Sequence, residues 1–149
     1  MSPQGAQGQP PQSEKVSTGM LLNRIPSEEH RYVARELHES LLDLPYIWAP
    51  AEVYEHESIS YRLKGRAFVH MAPPLSSDGI EVHVLEGLYA LPTLREMAKE
   101  LEPITRATVL ESAHHRHTKG GELVICINRQ NLRDVFRFIV RLYRRERGV

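Results

Sequence analysis

The chain has 149 residues, enough for one domain with a core that needs no covalent staples. Lys plus Arg number 19 and Asp plus Glu number 19, so no overall polyelectrolyte signal points to nucleic acid or a membrane surface. The one cysteine, Cys126, excludes an intrachain disulfide and a cysteine-based zinc knuckle.

The zero net charge hides a segregation. Residues 28–57 carry eight acids against Arg31 and Arg35, whereas residues 129–149 carry seven arginines against Asp134 and Glu146. One region is acidic and the other basic, and the two could face each other within the chain or between subunits. No apolar run approaches a membrane span, and the N-terminus lacks the basic start and apolar core of a secretory signal. The expectation is a soluble, cytoplasmic protein without a membrane partner, and the lone cysteine fits a reducing compartment.

In chain order, residues 1–19 are rich in Pro, Gln, Gly and Ser and have little to bury, so they are expected to form a disordered tail. A single domain is expected over 20–149. "IPSEEHRYVARELHESLLDLP" predicts a helix with Ser27 as N-cap and Glu28 and Glu29 at the positive end of its dipole. Val33, Leu37, Leu41 and Leu44 form its apolar stripe, and Pro45 stops it. "SISYRLKGRAFVHM" predicts a hairpin turning at Lys64-Gly65. An unbroken two-residue turn would set Ile59 opposite His70, on the face of Tyr61 and Phe68, and a one-residue slip would reverse that.

Alternation in "IEVHVL" predicts a strand with Ile80, Val82 and Val84 on one face. "LPTLREMAKELEP" predicts a short helix, "ITRATVLE" a strand and "ELVICIN" a central strand, with Cys126 a small buried hydrophobe. The final helix is predicted over about 130–147, with a stripe of Leu132, Val135, Phe136, Ile139, Val140 and Tyr143. This order predicts an α+β fold: a mostly antiparallel sheet with N-terminal, middle and C-terminal helices packed on one face.

Two clusters carry candidate chemistry. His114, His115 and His117 fall within four positions, ahead of a Lys-Gly-Gly turn. In extended chain His115 and His117 share a face, and with His70 or His83 they could form a three-histidine site open for catalysis or, without metal, an acid/base pair. No local paired-ligand motif supports a metal, so the block reads rather as an exposed polar connection before the Gly-Gly turn, with no cofactor implied. His70 is either a hydrogen-bonded core residue or the polar rim of a pocket.

The second cluster is the arginine series. Arg129, Arg133, Arg137, Arg141 and Arg145 recur every four residues away from the apolar stripe, and Arg144 and Arg147 add to the last turns. Arginine forks match carboxylates and phosphates, so the series suits an acidic protein partner or nucleic acid. The alternative is a solvated face that complements the helix dipole. Scarce neighbouring aromatics and the lack of an RNA-stacking motif disfavour nucleic acid. The partner residues expected are Arg133, Arg137, Arg141 and Arg144. Tyr46 and Trp48, in a proline-flanked loop, could stack on a ligand or close the end of the core.

The chain from about Leu37 to Tyr143 resembles the small bacterial "luciferase-like" (luciferase family) domain. The shared features are the "KGRAFVH" hairpin ending in a histidine, "SDGIEVHV", the helix "LPTLREMAKEL", and "AHHRHTKGGELVICI" leading into a helix. Segment order is also similar to the MmcQ/YjbR-like group. His70-Met71-Ala72 lacks a second histidine that the family carries, and Glu122 stands where the family has Trp. The resemblance implies that His70, His114 and His115 share a cleft; it does not imply light emission. The resulting expectation is a small ligand-binding or interaction domain with a histidine-lined cleft formed by His70, His114, His115 and His117. A metal-dependent enzyme using those histidines and a binding module using the arginine helix are the alternatives. The partner would be a small molecule or protein, and a homodimer is compatible with the charge pattern.

Overall fold

A computed structural model of the chain describes residues 14–76, 79–85, 91–112 and 122–148. Regular structure is present from β1 (Val16–Ser17), ahead of the expected start at Met20. Val16 pairs with Val53 of β2 (Glu52–Val53), and Ser17 caps helix α1 (Thr18–Asn23), its Oγ accepting the Met20 amide at 3.1 Å. The buried Thr18 hydroxyl donates to the Pro50 carbonyl at 2.8 Å, which ties this segment to the loop before β2.

Helix α2 (Glu28–Leu42) begins as its sequence dictates. The Ser27 Oγ accepts the His30 amide at 3.2 Å, and Glu28 and Glu29 occupy the first turn. Val33, Ala34, Leu37 and Leu41 are its buried residues.

Among the described residues the main sheet has five strands, all neighbours antiparallel, in the order β3-β4-β5-β7-β6. These are β3 (Ile59–Leu63), β4 (Arg66–Met71), β5 (Ile80–Leu85), β6 (Leu110–Ser112) and β7 (Glu122–Ile127). Lys64 and Gly65 both have positive φ, 55° and 75°, as a two-residue hairpin turn requires. One sheet face carries Ile59, Tyr61, Leu63, Val69, Met71, Ile80, Val82, Val84, Leu123, Ile125 and Ile127. They form one core with residues of α2, α3 (Leu91–Ala98) and α5 (Leu132–Arg147). The other face carries Ser60, Arg62, His70, Glu81, His83 and Cys126, all half-buried. The fold is α+β, as expected, and β7 lies between β5 and β6 as an interior strand.

Three local expectations are corrected. The hairpin register slips between Tyr61 and Arg62: Arg62 pairs with Ala67 but Tyr61 with Val69, leaving Phe68 as the extra residue of a bulge. Burial drives the slip, because the bulge lets Phe68 and Val69 both enter the core. Ser60, not Ile59, therefore lies opposite His70, and His70 takes the face away from Tyr61.

The strand expected over "ITRATVLE" is instead a single helical turn, α4 (Pro103–Arg106), with only β6 extended. Asp134 on α5 accepts the Glu102 amide at 2.9 Å, and Pro103 suits the first helical position.

The stripe of α5 is also displaced. Phe138 and Leu142 are buried with Val135, Ile139 and Tyr143, whereas Leu132, Phe136 and Val140 reach only half burial at its edge.

Candidate functional site

The half-buried row Leu132–Phe136–Val140 forms the floor of an open groove of about 710 Å³ between α2 and α5. Tyr32, Glu36, Leu37 and Ser40 form the α2 wall. On α2 the series Tyr32, Glu36, Ser40 runs beside the buried series Val33, Leu37, Leu41, so the edge of the stripe lines the gap. Arg129, Arg133, Arg137, Arg141 and Arg144 line the opposite wall. A smaller groove continues past Tyr32 along Glu28, Arg31, Arg35 and Glu39.

All four arginines named from sequence line this groove, but neighbouring carboxylates divide them. Arg137 pairs with Glu102 at 3.8 Å, and Arg141 pairs with Glu100. Both acids belong to the connection between α3 and α4, so these two arginines tie α5 to that connection. Arg133 and Arg144 make no ion pair among the described residues, and both are exposed. The Arg129 guanidinium stacks over the Tyr32 ring at 4.0 Å and closes one end of the groove.

The expected neutralisation of the basic helix by the acidic helix does not occur within the chain: among the described residues no ion pair joins α2 to α5. The walls instead face each other across the gap with opposite charge. Sequence reading overlooked Tyr32, Glu36 and Ser40, although their four-residue spacing beside the α2 stripe was visible.

The histidine-lined cleft is not what the described residues show. His114, His115 and His117 lie outside them. Among the described residues no group of three His, Cys, Asp or Glu side chains could hold a metal ion. The grooves formed by α2 and α5, and a third bounded by Arg95, Ala98, Lys99, Arg106, Val109 and Leu123, contain no histidine. His70 is half-buried on β4, opposite Ser60 on one side and His83 on the other. His83 Nε2 lies 3.3 Å from Glu81 Oε1. The bulge turns His70 to the second sheet face, away from Tyr61, so the expected shared face of His70 with Ile59 and Tyr61 is not formed. The histidine cluster is therefore withdrawn as the functional centre, together with the metal-dependent enzyme built on it.

Tyr46 and Trp48 do not close the core. They are 74% and 51% exposed, with Arg147 over the Tyr46 ring at 4.6 Å and Arg62 over the Trp48 ring at 5.8 Å. Tyr46 also has φ 68°, a left-handed conformation uncommon for an aromatic residue. Its loop is anchored by the Tyr143 hydroxyl, which donates to the Pro45 carbonyl at 2.6 Å. Cys126 is half-buried on the second sheet face, where desolvation and, secondarily, Glu81 push its thiol pKa up and so disfavour a reactive thiolate.

Among the described residues no helix is long and apolar enough to cross a membrane. Comparison with known proteins gives no matching family profile, no matching curated protein and no matching solved structure.

Proposed function

We propose that this protein is an interaction domain whose α2–α5 groove docks an acidic helical segment of a protein partner. One observation carries the reading: Arg133 and Arg144 line an apolar-floored groove yet have no carboxylate partner among the described residues. The arginines spaced four residues apart repel one another by a few tenths of a kcal/mol per pair, on the order of 0.2–0.5, which an anionic occupant would relieve. A carboxylate series at the same spacing on a docked helix matches it, with a rise of about 6 Å per step.

The floor of Leu132, Phe136 and Val140 favours a helix with an apolar stripe over a nucleic-acid backbone. A phosphate chain gains nothing from that floor. Fluorescence anisotropy with a labelled amphipathic peptide, carrying Glu every fourth residue beside a Leu stripe, tests the proposal. Binding at low salt should weaken roughly tenfold in the variant Arg133→Glu/Arg144→Glu, the order expected for two exposed ion pairs reversed. Binding of a single-stranded oligonucleotide in place of the peptide would overturn the reading.

A further inference from the structure

We infer that the helical partner of the groove is α2 of a second copy of this chain, so that the domain forms a two-fold dimer through its α2–α5 face. The inference rests on the docking reading above and names its occupant.

The α5 wall presents exposed Arg133 and Arg144, while the α2 wall presents exposed Glu36; the adjoining groove adds exposed Glu28 and Glu39 beside Arg31 and Arg35, with Glu39 paired to Arg35 at 3.8 Å. A uniformly acidic occupant would satisfy the arginines but be repelled by these glutamates. The occupant therefore has to offer carboxylates to α5 and cations to α2 at once.

This face of the chain is itself such an object. A two-fold axis between the helices sets α2 of each copy against α5 of the other, so every contact is made twice with complementary sign. Glu28 and Glu36, like Arg133 and Arg144, make no ion pair among the described residues, so both sets are available to a second copy. Apolar surface lies on the same face: Tyr32 of α2 is 42% exposed and lines the groove with the half-buried Leu132, Phe136 and Val140. Mixed charge around an apolar centre is the usual anatomy of a protein interface.

The test is sedimentation velocity on the full chain over a wide concentration range, with two charge-reversed variants. Arg133→Glu/Arg144→Glu replaces the unpaired arginines of the α5 wall by acids, and Glu36→Arg/Glu39→Arg replaces the α2 acids by bases. All four positions are exposed, and a thermal melt verifies that each variant folds. The native chain should dimerise, with dissociation at least tenfold easier at high salt. Each variant alone should sediment as a monomer, and an equimolar mixture should recover the dimer, because each reversed wall then meets its complement.

A native chain that stays monomeric while binding the acidic peptide would overturn the dimer and leave the docking reading standing. A monomer that binds no peptide would remove both. A dimer that persists unchanged in both variants would place the contact elsewhere and overturn the inference.

Discussion

The Tyr61 hydroxyl meets Nδ1 of His38 at 2.7 Å, a polar contact between β3 and α2 at the edge of an otherwise apolar core. Tyr61 is fully buried and its pKa is raised by desolvation, so the phenol keeps its proton. Burial lowers the His38 pKa below its ordinary 6.5, partly opposed by Glu39. With Tyr61 donating, neutral His38 carries its proton on Nε2.

The pH dependence follows from that preference for neutral His38. Below about 6.5 the unfolded chain takes up a proton at this position that the folded chain resists. The stability contributed here is full above that pH and declines as pH falls toward the lowered folded value. Urea denaturation should show a loss of stability as pH falls below about 6.5 that is smaller in His38→Gln. Equal slopes in the two proteins would disprove the assignment. Tyr61→Phe should cost about 1 kcal/mol at neutral pH through the lost hydrogen bond.

Two phenylalanines on α5 should separate core from groove. Phe138 is 2% exposed, and Phe138→Ala should cost about 3–5 kcal/mol. Phe136 is half-buried in the groove floor, so Phe136→Ala should cost clearly less stability while weakening occupation of the groove. Thermal melts paired with the peptide and sedimentation measurements read both effects. Equal destabilisation by the two substitutions would place Phe136 in the core and remove the groove floor.

Asn131 is a buried polar hinge between β7 and α5. Its Nδ2 donates to the Cys126 carbonyl at 2.9 Å and its Oδ1 accepts the Asn128 amide at 2.8 Å, with no exposure to solvent. Removing the side chain leaves both backbone groups without these partners, so Asn131→Ala should cost about 1–3 kcal/mol. The denaturation midpoint should fall with an unchanged slope. A midpoint within error of the native chain would show that the hinge bonds contribute nothing.

Local physics made much of the fold readable from sequence. The Ser27 cap, the acidic first turn and the spacing of Val33, Leu37 and Leu41 specify α2 within the segment itself. Alternation specifies β5, whose Ile80, Val82 and Val84 share the core face as expected. The α+β class and the antiparallel sheet follow from the order of such segments.

Contacts distant in sequence decided the rest. The Phe68 bulge, which turns His70 to the second face, depends on how much apolar volume the core accepts. The turn at Pro103 depends on Asp134, 32 residues away from the amide it accepts. The four-residue period of Arg133, Arg137 and Arg141 was plain in the sequence. Which arginines are already paired depended on Glu100 and Glu102 arriving from another connection. The sequence by itself determined that this protein carries one basic and one acidic helix on an α+β frame, because helix periodicity and capping are encoded within a few residues. Only the tertiary structure decided that the two helices border a shared groove, because the core beneath them sets their spacing.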